Sequence, residues 1–209
     1  MKVSLFLMLA SLPAMTAEPA PTTRPGRLTG PELKEYAALT GTRKKIVDAS
    51  LALAARETWL RYRFGSAAPE SGGLDCSGAV YFLLQQAGVQ PPRSSAAQFV
   101  WVKKGGTLKE VPASITSTGD ASLKGLKPGD LLFWSGTYQP TDGREVPVSH
   151  VQIFLGHEKI TGAPVMVGSS DGRTYRGTKR EGYGVFDFKL PKAGSKAKFL
   201  GYGFPATAE

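Results

Sequence analysis

Hydrophobic positions recur with a helical period in the first half of the chain and with a strand period in the second. From Thr42 the stretch RKKIVDASLALAARETWL sets Ile46, Leu53 and Leu60 at seven-residue spacing, one side of a helix that Thr42 can cap. SGAVYFLLQQAG, residues 77–88, is apolar nearly all round, which predicts a buried helix, and Gly88 is a typical stop just past its end. Ser94 or Ser95 opens a third, shorter helix through AAQFVWVKK. Beyond residue 126 the period drops to two. LKPGDLLFWSG reads as a turn into a strand, and VSHVQIFLG alternates, with Val151, Ile153 and Leu155 on one face and His150, Gln152 and Phe154 on the other. PVMVGSS, GVFDFKL and KFLGYGF supply three further strands. Helices first and strands afterwards, with short connections between the strands, predict an α+β fold in which N-terminal helices pack on an antiparallel β-sheet. Residues 102–125 and 136–147 are long for loops, and such loops are either decoration or walls of a binding cleft.

The ends of the chain break this pattern. Lys2, the mostly apolar run Val3 to Leu12 and the small residues Ala14 and Ala17 outline a secretory signal peptide over residues 1–17. The run is shorter than the roughly 20 residues that span a bilayer, and no cysteine lies near it for lipid attachment, so no stable membrane anchor is expected. EPAPTTRPGRLTGPE follows, rich in proline, threonine and glycine, and residues 18–41 read as a flexible leader before one packed domain at 42–204. The protein is therefore expected outside the cytoplasm, secreted or periplasmic, as a monomer. Its 209 residues, 41% hydrophobic, are enough for one core. A single cysteine excludes an internal disulfide, so that core must hold the fold unaided. The net charge of +9 suits an anionic surface or simple solubility. No zinc, basic-helix or aromatic-platform pattern accompanies the charge, so nucleic acid is not an expected partner.

Candidate chemistry centres on Cys76, in LDCSG at the first turn of the predicted buried helix. Unpaired N–H groups and the helix dipole favour a thiolate at such a place, which would make a nucleophile; a small buried hydrophobe is the plain alternative. Asp75 or Ser77 can cap the helix, and Gly78 allows close approach of a backbone or a substrate. Of the two histidines, His157 follows Gly156 in a turn and is expected to face solvent. His150 opens a strand on the face opposite Val151, Ile153 and Leu155, and can serve as a base if the cysteine helix packs on that side. One cysteine and two histidines do not complete a four-ligand metal site, and neither a metal nor another cofactor is expected.

Together LDCSGAVYFLL, LKPGDLLFW and SHVQIFLG, with YRFG upstream and PRSSAAQF after the cysteine helix, resemble the NlpC-type cell-wall cysteine peptidases, a bacterial branch of the papain-like superfamily. The likeness runs over roughly residues 45 to 190. It implies hydrolysis of peptide bonds in peptidoglycan stem peptides, commonly between D-glutamate and a diamino acid. It also implies Cys76 as nucleophile, His150 as general base, Tyr62 near the reacting carbonyl or the substrate's N-terminal side, and Asp75 and Ser77 shaping a pocket for a free amino end. Backbone N–H groups at the start of the cysteine helix are natural oxyanion donors.

One position departs from the family. A third polar residue usually stands on the strand after the histidine strand and orients the imidazole, whereas here that place falls on Gly168. Ser170 shares the strand face of Gly168 and is the expected substitute, with Ser169 or Asp171 reachable through a bulge. The basic run Arg173, Arg176, Lys179 and Arg180 either meets substrate carboxylates or forms a solvated face. Two other readings stay open: a non-catalytic wall-binding module that retains the fold, and an acyl- or amide-transferring relative with the same two residues.

Overall fold

The period-two segments beyond residue 126 all become strands of one sheet. The structure, a computed structural model, describes residues 23–205; the expected signal peptide lies outside them. Three helices come first, α1 (Gly41–Ala55), α2 (Cys76–Gln86) and α3 (Ser95–Lys104). Short strands β1 (Arg61–Tyr62), β2 (Gly73–Leu74) and β3 (Lys109–Glu110) lie between and after them. The main strands are β4 (Leu131–Ser135), β5 (Val148–His157) and β6 (Pro164–Ser170). The hairpin β7 (Thr174–Tyr175) and β8 (Thr178–Lys179) precedes β9 (Gly182–Asp187) and β10 (Lys198–Gly203). The six-stranded sheet has the order β3-β10-β4-β5-β6-β9 and is antiparallel throughout, as the α+β expectation requires.

Strand alternation divides the interior in two. Leu131, Phe133, Val151, Ile153, Leu155, Val165 and Val167 point to the side covered by the helices and share one core with them. Leu132, Trp134, Phe154, Met166, Phe186 and Tyr202 point the other way into a second, more aromatic core. The segment after β3 covers that face, contributing Val111, Ile115, Leu123 and Leu126. Much of the long 102–125 stretch is therefore a cover for the second core. This is why Gln152 and Phe154, expected on the less apolar face, are fully buried.

Two expectations are corrected. Residues 23–41 are not a flexible leader from Thr23 onward: Thr23 bridges Arg180, Gly26 bridges Val185 and Leu33 bridges Glu158. Leu28 and Leu33 enter the main core, so packing begins well before residue 42. Gly26 has no room for a side chain, because a Cβ there would lie 2.1 Å from the Tyr175 ring. The first helix starts after Thr40 and ends at Ala55, where Arg56 turns extended and its carbonyl is taken by the side chains of Arg24 and Arg27. Leu60 still reaches the core, from an extended segment that accepts the Tyr183 N–H at 2.8 Å. The helix caps are otherwise as expected: Ser94 caps α3, and Gly88 closes α2 with φ +85. Among the described residues no helix is long and apolar enough to cross a membrane.

Candidate active site

Cys76 is placed by a rigid loop. β1 pairs in parallel with β2, and Ser169 Oγ donates to the Leu74 carbonyl at 2.6 Å, tying that strand to β6. Asp75 then leaves the strand with extended backbone, its N–H donating to Ser66 O at 2.9 Å and its Oδ1 accepting the Gly78 N–H at 2.6 Å. The Ser66 carbonyl passes so close to Gly78 that a Cβ would lie 2.0 Å away; the close approach expected of this glycine is to backbone. From the other side Gln98 of α3 donates to Ser77 O at 3.1 Å and Pro92 O at 3.0 Å. Cys76 is thus the first residue of α2, fixed at both flanks.

His150 stands on β5 opposite Trp134 of β4, with ring centroids 5.8 Å apart. The β5–β6 ladder stops at Ile153↔Val167, whereas β6 stays paired with β9 as far as Ser170↔Gly182. β5 and β6 therefore part at this end of the sheet. The N–H of Val151, the residue after His150 in β5, favours the thiolate form of Cys76. α2 packs on the Val151, Ile153 and Leu155 side, not on the side of His150. Any approach of Cys76 to the imidazole is therefore at the parted end and not through the face. Arg173 joins them: its Nε donates to His150 Nε2 at 3.3 Å, its guanidinium lies 4.1 Å over the Trp134 ring, and its charge is felt by Cys76.

A cleft of about 630 Å³ opens here, lined among others by Tyr62, Trp134, Tyr138, His150, Asp171 and Arg173. Phe64, 75% exposed, meets Tyr138 edge-on at 6.1 Å, so the 136–147 loop supplies part of the wall. Cys76 is 5% exposed and is not among the residues that line this cleft.

Electrostatics set both reacting groups neutral at rest. Burial pushes the Cys76 thiol up to about 11, helped by the Asp75 carboxylate and opposed by the N–H groups of Val151, Ser77 and Cys76. Here burial outweighs the helix start, which was expected to lower it. Burial also drives the His150 imidazole well below its ordinary range, and the Arg173 charge adds to this. Arg173 itself is lowered by burial to about 10 and stays cationic at neutral pH. Burial raises the Tyr62 phenol, reinforced by Cys76 and Asp75.

The other expected site residues divide. Tyr62, Ser170 and Asp171 line the cleft. Ser170 does not meet the imidazole in any recorded contact; its hydroxyl faces the Gly172 N–H at 3.5 Å, and the atom at Nε2 is Arg173 Nε. Ser169 is committed to Leu74. Asp75 and Ser77 are held by Arg93, with Nη2 to Asp75 Oδ2 at 2.8 Å and Nη1 to Ser77 Oγ at 3.0 Å, and neither lines the cleft. An amino end would have to compete with that ion pair. At Gly168 the missing side chain is replaced by its neighbour's: a Cβ there would come 2.9 Å from Gln152 Cγ. Both amide atoms of Gln152 are buried without a partner among the described residues. Arg173 stood in the sequence only as one charge of a basic run, and nothing in its spacing marked it as the neighbour of the imidazole. His157, expected in solvent, is partly covered and bonded through Nδ1 to Glu35 at 2.5 Å. Among the described residues no group of three or more His, Cys, Asp or Glu side chains is arranged to hold a metal.

A model of the NlpC/P60 family matches residues 59–178. A probable endopeptidase of Mycobacterium tuberculosis is 32% identical over 149 residues, covering 68% of this chain and 30% of the relative. A gamma-DL-glutamyl hydrolase of Bacillus subtilis is 32% identical over 96 residues, covering 46% of this chain and 18% of the relative. The chain thus spans less than a third of the length of these relatives. Among solved structures, an NLP/P60-family protein similar to lipoprotein from Staphylococcus aureus aligns with a TM-score of 0.47 at 20% identity, over 90% of this chain and 45% of that one.

Proposed function

The chain belongs to the NlpC/P60 family, and from that premise we propose that it is an exported cysteine endopeptidase that cuts peptide bonds in peptidoglycan stem peptides, of the D-glutamyl–diamino acid type. What supports this reading is a lone thiol at a helix start together with a buried histidine, bonded to Arg173, in the wall of an open cleft. Substrate enters past Phe64 and Tyr138. Once the long Arg173 Nε–H bond to its ring is released, His150 takes the thiol proton as Sγ of Cys76 attacks the carbonyl carbon, and the carbonyl oxygen becomes an oxyanion. N–H groups at the start of α2 are the natural donors to that charge. The imidazolium then gives its proton to the leaving amine, the C–N bond breaks and a thioester remains. Water, deprotonated by His150, hydrolyses the thioester to the free acid and restores the thiol.

Burial disfavours the charged form of both groups, so in this reading His150 takes the thiol proton as the sulfur attacks. The export part of the proposal rests on residues 1–17, and the substrate class on the family and on the glutamyl hydrolase among its relatives. One observation favours a second reading, a wall-binding module without chemistry: the group at His150 Nε2 is the cation Arg173, which opposes an imidazolium. The two separate in one assay. Native protein under reducing conditions is expected to release amino groups from a stem tetrapeptide, and Cys76→Ala to lose that activity by on the order of 10⁴-fold or more. Sedimentation with purified wall but no cleavage by the native protein overturns the peptidase reading and leaves the binding module.

A further inference from the structure

Arg173 is the one cation of the cleft held against the reacting groups, and the peptidase reading gives its charge no task. Its Nε is occupied by His150 Nε2 at 3.3 Å and its plane is stacked on Trp134 at 4.1 Å. That leaves the terminal nitrogens, and among the described residues they have neither a carboxylate partner nor a recorded hydrogen bond. The contrast with the other cation of the cleft is plain, since Lys189 is paired with Asp187 at 2.8 Å. Trp134, fully buried, and His150, 8% exposed, fix the guanidinium in place. A fixed planar cation with its two-nitrogen edge unused is a receptor for a carboxylate, which it can take through two parallel hydrogen bonds.

The chemistry of the scissile bond says which carboxylate comes near. In a γ-linked D-glutamyl residue the side-chain carbonyl forms the peptide bond, so the α-carboxylate stays free and lies only a few bonds from the carbon that Cys76 attacks. We propose that Arg173 is the specificity-determining residue of the cleft, its guanidinium receiving the free α-carboxylate of a γ-linked D-glutamyl residue whose side-chain carbonyl is presented to Cys76. This rests on the peptidase reading and names the feature of the substrate that the site selects. The pairing has a second effect. The imidazolium formed when His150 accepts the thiol proton would sit beside an unneutralised guanidinium in the empty site; a bound carboxylate cancels that repulsion. The correct substrate thereby removes the obstacle to its own cleavage, and an α-amidated substrate does not.

The test uses three synthetic stem tetrapeptides: the parent, one amidated at the glutamyl α-carboxyl, and one amidated at the free carboxyl of the diamino acid. Cleavage by the native protein is measured as kcat and KM, and binding to Cys76→Ala protein is measured by calorimetry. Amidation of the glutamyl carboxyl is expected to lower kcat/KM by at least about tenfold, with kcat sharing in the loss, and to weaken binding. Amidation of the diamino acid is expected to change both by less than about twofold, because its carboxyl lies on the leaving side. In Arg173→Met the parent should fall to the level of its amide, so that their ratio approaches one whatever the absolute activity, and Arg173→Lys should restore part of the ratio. Equal handling of parent and glutamyl amide by the native protein, an undiminished ratio in Arg173→Met, or a loss confined to the diamino acid amide overturns the assignment. If native protein cleaves none of the peptides, the peptidase reading fails, and the calorimetric ratio still decides whether Arg173 takes the carboxylate.

Discussion

The two faces of the central sheet do different work. Under the helices lies an aliphatic core of Val151, Ile153, Leu155, Val165 and Val167, and it fixes the helix that begins with Cys76. The opposite face is aromatic, with Trp134, Phe154, Phe186 and Phe188, and it holds the imidazole of His150 and the guanidinium of Arg173. Sulfur and imidazole therefore belong to different layers. They can meet only where β5 and β6 separate, beyond Ile153 and Val167. A sheet paired to its end would keep the two apart, so a lapse in regular hydrogen bonding is what makes a site of them.

Predictions follow from that division. If the helical layer encloses the sulfur as tightly as its burial indicates, alkylation of Cys76 by iodoacetamide should keep rising past pH 9. The thiolate fraction grows with pH until the thiol's value of about 11, so the rate should climb by on the order of 10³–10⁴ between pH 7 and 11. A plateau near pH 8 would mean that the helix start, not burial, governs the thiol. Next, Phe133 and Phe154 are fully buried on opposite faces, and alanine at either should cost about 3–5 kcal/mol in urea unfolding. A small loss at Phe154 alone would show that the loop-covered face is a weak core and that only the helical layer holds the fold.

A smaller effect is expected at the seam. Ser169→Ala removes the 2.6 Å bond to the Leu74 carbonyl that anchors the strand leading into Cys76, while the carbonyl keeps the Arg63 N–H at 3.0 Å, and should destabilise by about 0.5–1.5 kcal/mol. Faster alkylation of Cys76 in the same variant would locate the loosening at the cysteine loop. The smallest effect concerns acid. The folded imidazole binds its proton far less readily than the unfolded one with its ordinary 6.5. Unfolded chains therefore take up the proton first as pH falls below that value, and native stability declines. The loss should reach about 1 kcal/mol near pH 5.5, and His150→Gln should remove that part of the decline. An unchanged acid slope in the variant would mean that the aromatic layer admits water to the ring.

Much of this was legible in the sequence where the information is local. Alternation in VSHVQIFLG assigned Val151, Ile153 and Leu155 to one face and His150 to the other, and the all-apolar run after Cys76 gave the buried helix. Ser94 and Gly88 marked helix ends because capping depends on neighbouring backbone alone. What escaped depends on contacts between distant segments. Composition makes residues 23–41 look like a tail, yet Leu33 is fully buried, through pairing with Glu158 far along the chain. Asp75 reads as a helix cap and a wall for an amino end, with nothing to announce Arg93, and Arg173 reads as one charge of a basic run until Trp134 and His150 are found against it. Which side α2 covers was equally hidden, since periodicity assigns faces without saying what lies on them. Why the place of the family's third residue falls on a glycine was hidden for a related reason: cross-strand crowding by Gln152 at Gly168 is visible only once the register is known.

The N-terminal stretch carries a consequence for maturation. β9 is the outermost strand of the sheet on its side, and the bridge between Gly26 and Val185 occupies part of its open rim. Processing that stops short of Thr23 leaves this seal intact. Trimming beyond Leu33 would strip it away, expose apolar flank and offer unpaired backbone to any passing extended chain, a recipe for clumping. The shortest durable form of this polypeptide is thus fixed by a rim that must stay covered, far from where any bond is cut.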